Sequence, residues 1–151
     1  RIAVAIRTQL DTVDEGATYS HTAIVHRPTK LAGYEPVDKH VLLIQAPSEP
    51  NPELTLEGID LRLGITQRFG IQFFVIPSDL STDPIDTAIN ERRADFEYAL
   101  MVDKSWGGLA IDTRLAEFNR WDPSEHMFPF GAVVIDVDYR VNESNPRTNG
   151  I

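Results

Sequence analysis

The sequence contains no cysteine. That excludes a disulfide scaffold, a thiolate zinc site, an iron–sulfur cluster and a cysteine nucleophile, and it leaves the redox compartment open. Long hydrophobic runs are missing too. Stretches such as Val41-Leu42-Leu43-Ile44 fall far short of the ~20 residues of a membrane-spanning helix. Basic residues are the minority, with 14 Lys plus Arg against 23 Asp plus Glu and a net charge of -9. This balance argues against a protein that grips DNA, because phosphate binding is driven by clustered Lys and Arg. No charged-then-apolar signal segment opens the chain. It begins at Arg1 rather than Met, as expected where an initiator or short leader is removed. Internal repeats, low-complexity tracts and nucleotide motifs are also missing. Gly64 and Gly70 lie within a strand pattern and Gly107-Gly108 follows a helical one, so none forms a phosphate cradle.

What is present is a globular composition: 151 residues, 42% hydrophobic and 25% charged. One domain is expected at that length, and it buries roughly 68–70% of its unfolded surface, enough to fold without a metal or crosslinks.

Hydrophobic spacing sets the expected elements. Ile2, Ile6, Leu10 and Val13 fall on one face of an N-terminal helix that Gly16 stops, with Asp11, Asp14 and Glu15 fraying its end. Residues 18–26 are β-branched and aromatic and read as a strand. Pro28, Gly33 and Pro36 punctuate a loop or loose hairpin. Val41 to Gln45 reads as a buried strand. Pro47, Pro50 and Pro52 make residues 46–53 an extended, exposed loop. Alternation then runs from Ile59 to Val75, the mark of a half-buried strand. A straight strand of that length would span about 55 Å at ~3.3 Å per residue. Either Gly64 or Gly70 marks a bulge or bend, or the strand projects as an arm.

Pro77 ends this strand. A helix follows, with Asp83 as N-cap, Pro84 at its first position and Asp86 in its first turn. Ile85, Ala88, Ile89, Phe96, Ala99 and Leu100 form its apolar stripe, with Arg92, Arg93, Asp95 and Glu97 largely off it. Trp106 packs in the core where Gly107-Gly108 terminates the segment. Residues 109–118 fit a strand or a helical turn. A last strand spans Ala132 to Val141, with Val133, Ile135, Val137, Tyr139 and Val141 on one face and Asp136, Asp138 and Arg140 on the other. The expected fold is α+β, a single domain with a mostly antiparallel sheet, long strands or a projecting hairpin, and two helices on one face. Residues 17–57 hold a candidate inserted hairpin, and 142–151 an extended polar tail.

Candidate chemistry is sparse. His21, His26, His40 and His126 are scattered and read as surface or edge residues, His21 and His26 pointing to opposite faces. Asp136 and Asp138 sit two apart on one strand face, as a paired-carboxylate site requires. Arg140 continues that face, and Arg62 and Arg68 occupy the polar face of the long strand. Should the two strands be neighbours, cross-strand ion pairs account for all five. Ser124-Glu125-His126 lacks a nucleophile elbow. Trp121 divides evenly between core and interface. Long strands, a proline-spaced loop and a polar tail suit an assembly subunit, because extended arms bury little within their own domain.

Specific residues carry a resemblance. Ala94-Asp95-Phe96-Glu97-Tyr98-Ala99-Leu100-Met101-Val102-Asp103, followed by Trp106-Gly107-Gly108-Leu109-Ala110-Ile111-Asp112, resembles the helix-to-Gly-Gly-Leu-Ala passage of tailed-bacteriophage tail terminator proteins. Val133 to Arg140, ahead of Asn145-Pro146-Arg147-Thr148, resembles their closing strand, and Phe69 to Ile76 the strand before the helix. The likeness covers about the C-terminal two-thirds of the chain; residues 17–57 depart from it. It implies a virion subunit with no cofactor and no catalysis, made in the host cytoplasm. Such subunits form a ring, commonly a hexamer, that caps the tail tube protein and joins the tail to the head-completion connector. DNA passes through the channel without specific binding, and no membrane is involved. Candidate contacts are Asp136, Asp138, Arg140, Arg62, Arg68 and Trp121, along with residues 26–39, 46–57 and the tail from Asn142. The alternatives are a head-closure, connector or tail tube subunit and, in a different class, a small acidic enzyme or ligand-binding domain using Asp136, Asp138 and a histidine.

Overall fold

The computed structural model describes residues 1–19, 21–27, 40–57, 61–75, 84–121 and 130–142, except for the side chains of Trp121 and Asn142. In chain order the elements are α1 (Ile2–Leu10), β1 (Ile24–His26), β2 (His40–Gln45), β3 (Glu49–Pro50), a 3₁₀ turn (Pro52–Leu54), β4 (Arg62–Phe74), α2 (Ile85–Met101), β5 (Asp112–Trp121) and β6 (Phe130–Asn142). The sheet runs β1-β2-β4-β6-β5, with β3 added beside β4. Among the described strands β1 and β2 pair in parallel; the other pairings are antiparallel. The fold is α+β, as expected from the hydrophobic spacing.

The register explains where the core sits. Val41 faces Phe73, Leu43 faces Ile71, and Phe69 and Ile71 face Ile135 and Val133. Direct partners share a face, so these side chains form one apolar surface. Ile2, Ile6 and Leu10 of α1 and Ile89, Phe96, Ala99 and Leu100 of α2 close over it in a single cluster. Burying a side chain such as Phe96, which has no exposed surface, contributes about 1.5–3 kcal/mol. The opposite face is split. Leu42, Phe74, Ala132 and Val134 are buried at one end, and charged side chains occupy the other.

The long strand differs from expectation. The β4–β6 ladder runs without a register shift from Arg62↔Asn142 to Phe74↔Phe130, so neither Gly64 nor Gly70 is a bulge. Its length is accommodated because β6 has the same 13 residues as β4. The register shift falls instead in β5, between Leu115 and Glu117. Residues 109–118, open between strand and turn in the sequence, enter β5 at Asp112.

Other local expectations are corrected. The first helix ends at Leu10 rather than at Gly16, because Thr12 donates to the Gln9 carbonyl at 2.6 Å and Asp14 accepts from Thr22 at 2.7 Å. Such side-chain bonds compete with helix continuation. Of the described residues among 18–26, Ile24–His26 is strand. Pro84 takes the N-cap position of α2 rather than the first helical one. Asp83, Pro77, residues 28–39, Ser124-Glu125-His126 and the tail beyond Asn142 lie outside the described residues.

Residues 46–57 are not a free loop. Glu49 and Pro50 pair with Thr66 and Ile65. Asn51 N–H donates to the Gly64 carbonyl at 2.8 Å, and Leu56 and Arg62 exchange both backbone hydrogen bonds at 2.9 and 3.0 Å. Gly64 permits the approach: a Cβ there would collide with the Asn51 carbonyl oxygen and with Leu54. Three prolines deprive this segment of donors, yet as a short edge addition it needs few.

Candidate functional site

The charged end of the helix-free face is a cross-braced ladder. Register sets Arg68 opposite Asp136 and Thr66 opposite Asp138, and β5 brings Arg114 opposite Asp136 and Asp112 opposite Asp138. Arg68 donates to Asp136 twice, Nε to Oδ1 at 2.9 Å and Nη2 to Oδ2 at 3.1 Å. It also lies 3.5 Å from Glu117. Arg114 reaches past its direct partner to grip Asp138, donating through Nη1 to Oδ2 and through Nη2 to Oδ1. Thr66 donates its hydroxyl to Asp138 at 2.7 Å, and Asn51 donates to Thr66 at 3.0 Å.

The two arginines hold their protons more firmly than usual. The hydrogen bond and charge of Asp136 raise the pKa of Arg68; Asp138 does the same for Arg114, chiefly through its hydrogen bond. Such fork-to-carboxylate pairing fixes orientation as well as charge. Both aspartates therefore act as acceptors that tie β4, β5 and β6 together. Beside the ladder, Ala46, Pro47, Glu49, Thr66, Arg68 and Asp136 line a pocket of about 300 Å³.

Not every candidate residue joins. Arg140 sits opposite Gly64, which offers no side chain to pair with. It donates instead to the Leu54 carbonyl at 2.6 Å and pins the 3₁₀ turn. Arg62 stands at the far end of the ladder, opposite Asn142, its backbone held by Leu56. Trp121 closes β5 opposite Phe130. Cross-strand ion pairing thus accounts for Arg68 and Asp136 directly and for Asp138 through Arg114, which sequence reasoning missed. Once residues 112–121 are a strand, alternation alone places Arg114 on the Asp136 face.

The passage from α2 into β5 is locked to the same ladder. Asp103 accepts hydrogen bonds from the Ser105 hydroxyl at 2.7 Å, Ser105 N–H at 3.0 Å and Gly107 N–H at 2.7 Å. The Ser105 hydroxyl contributes most to holding its carboxyl below the usual carboxylate range, followed by the Gly107 amide. Trp106, Gly107 and Gly108 then take successive left-handed conformations, φ 51°, 70° and 86°. For tryptophan this conformation is strained. The buried indole repays it, donating to Thr113 at 2.8 Å while Thr113 donates to the Lys104 carbonyl at 2.8 Å. Ile111 N–H reaches the backbone carbonyl of Asp138 at 2.7 Å. Asp138 therefore meets this passage through its main chain and the ladder through its side chain.

His21 is not a surface or edge group, whereas His26 lies on the edge strand β1 and His126 lies outside the described residues. His21 Nδ1 lies 2.6 Å from Asp95 Oδ2, with side chains only 11% and 9% exposed. The Phe96 ring meets the imidazole edge-on at 5.1 Å. Asp95, expected off the apolar stripe, is buried because it holds this imidazole. His26 and His40 pack with tilted rings, centroids 4.3 Å apart, across β1 and β2. Burial lowers the pKa of His40, and the neighbouring His26 lowers it further. Among the described residues no group of three or more His, Asp or Glu side chains converges as a metal site, and no helix is long and apolar enough to cross a membrane.

No protein-family model matches the chain, and no curated protein matches it.

Proposed function

We propose that the chain is a structural subunit of a tailed-phage neck, the tail terminator. In this reading copies form a ring, a hexamer as the resemblance implies, on the last tier of tail tube protein. The ring stops tail growth and presents a surface to the head-completion connector. The observation that carries the reading is the passage from Ala94 to Asp112. The residues that resemble the tail terminator motif form one mechanical unit: the end of α2, the left-handed Trp106-Gly107-Gly108 turn and the start of β5. That unit is fastened to the closing strand at Asp138. A cross-braced plate of long strands suits a subunit that must hold its shape under load while DNA slides past. The acidic balance favours such passage, because Lys and Arg clusters would retain the phosphates. The reading places the protein in the virion neck after assembly in the host cytoplasm, and it assigns no catalysis and no cofactor.

A head-closure, connector or tube subunit is the neighbouring reading. Mixing the purified chain with tail tubes and with portal-bearing capsids separates these: a terminator caps tube ends, a connector subunit docks at the portal, and a tube protein polymerises into open tubes. The different-class reading rests on the pocket beside Arg68 and Asp136, whose volume reaches the lower end of small-ligand sites. Under it, Asp136→Asn and Asp138→Asn abolish ligand uptake or turnover; under the terminator reading they perturb stability or assembly alone.

A further inference from the structure

Among the described residues β5 pairs with β6 and no other strand, so it forms one rim of the sheet. The opposite rim, β1, has three residues; β5 has ten. Natural edges are blunted by shortness, proline, lysine or a bulge. Of these devices β5 has the bulge, between Leu115 and Glu117, but neither proline nor lysine; its residues 114–117 are all exposed, and Leu115 keeps 44% of its surface in solvent.

The bulge decides which way the edge faces. Arg114 stands opposite Asp136 and Glu117 opposite Val134. Those β6 residues are two apart and share a face, so Arg114 and Glu117 share it too, although three apart in sequence. By the same count Thr113 and Phe118, opposite Val137 and Val133, both belong to the helix face.

We propose that two copies of the free chain pair β5 to β5, antiparallel, about a two-fold axis normal to the sheet that passes between Leu115 and Ala116. Such an axis maps each face onto itself. Residues set opposite one another then agree in face: Arg114 with Glu117 of the second copy and Asp112 with Asn119 on the helix-free side, Thr113 with Phe118 on the other. An unbulged strand in this register would set unlike faces together. This register pairs residues 112–119 of each strand and sets Arg114 against Glu117, opposite charges in direct cross-strand contact, a favourable pairing. Arg114 already holds Asp138 and Glu117 already lies by Arg68, so the contact continues an alternating row of charge from one sheet into the next. At the axis the two Leu115 side chains meet and lose their exposure. A two-fold contact closes on itself and builds no ring. The pairing is therefore independent of the terminator reading and describes the chain before it reaches a tail.

Sedimentation velocity across a concentration series tests this. The expected result is a reversible species of twice the 16.9 kDa chain mass. Leu115→Glu should return it to the single-chain mass with an unchanged circular dichroism spectrum. Because the chain has no cysteine, register is read separately: Arg114→Cys and Glu117→Cys chains, mixed and oxidised, should crosslink far more than either alone. A wild-type chain that stays monomeric throughout overturns the proposal. So does an oligomer that keeps its mass in Leu115→Glu and fails to crosslink in the mixture. A six-copy ring indifferent to both changes, or a monomer that nonetheless caps tail tubes, overturns the dimer and leaves the terminator reading standing.

Discussion

Arg114 does not pair with Asp136, its direct neighbour across β5 and β6, but reaches diagonally to Asp138. Arg68 occupies Asp136 from the other side, so the two arginines divide the two carboxylates between them. The consequence is an asymmetry in cost. The Asp138 side chain is 7% exposed and takes bonds from Arg114 and Thr66, whereas Asp136 is 18% exposed and its partner Arg68 is 49% exposed. Asp138→Ala is expected to lower unfolding stability by about 1–3 kcal/mol, the range for orphaning buried hydrogen-bonding groups. Asp136→Ala should cost about 0.2–1 kcal/mol, as solvent-screened pairs do. Urea unfolding of both variants checks the order; equal losses would reject the ladder as described.

The His21–Asp95 pair ties the segment after α1 to the middle of α2. Asp95→Ala removes a buried carboxylate and should lower stability by about 1–3 kcal/mol. Glu97→Ala, which breaks the half-buried i,i+4 pair with Arg93, should cost no more than about 0.5 kcal/mol. Thermal melts of the two variants provide the comparison.

Much of this was legible in the sequence, and the boundary is physical. Period-two alternation gave β4 and β6 and their inward and outward faces, since burial on one side dictates the pattern. The apolar stripe of α2 was readable for the same reason. Asp95 was not, because a carboxylate buried by a partner 74 residues away leaves no local trace. Arg114 was hidden by the undecided state of its segment: without a strand there is no face to assign. The docking of residues 46–57 was invisible because it depends on the missing Cβ of Gly64 rather than on any property of the prolines.

Gly64 and Gly70 lie in the same strand but should respond oppositely. A methyl group at position 64 meets Asn51 and Leu54, while position 70 has nothing within 4 Å. Gly64→Ala is expected to destabilise by about 1–3 kcal/mol through overpacking and to expose residues 46–57 to protease. Gly70→Ala should be neutral or slightly stabilising, since alanine narrows the unfolded ensemble. Denaturant unfolding with limited proteolysis reads both.

His40 gives a pH signature with a fixed sign. Its folded-state pKa lies below the ordinary 6.5, so the native state favours the neutral ring. That contribution is fully present above pH 6.5 and is lost as pH falls below it toward the folded value. The drop in melting temperature between pH 7.5 and 5.5 should be smaller in His40→Gln. Asp103, held below its ordinary 3.8, acts in a separate window: its contribution is present above that value and is lost at lower pH.

The charge of -9 per chain makes any ring repel itself. Six copies around one axis accumulate that charge six-fold, and the repulsion is screened by salt. The fraction of chain sedimenting as a ring should rise between low and physiological ionic strength; a ring that falls apart as salt is added over that range would contradict the acidic-ring account.

The central claim is tested most directly by electron microscopy of tail tubes incubated with the purified chain. The account predicts a ring seated on one end of each tube and an end to further elongation when tube protein is added. Bare tube ends that continue to grow in the presence of excess chain would contradict it.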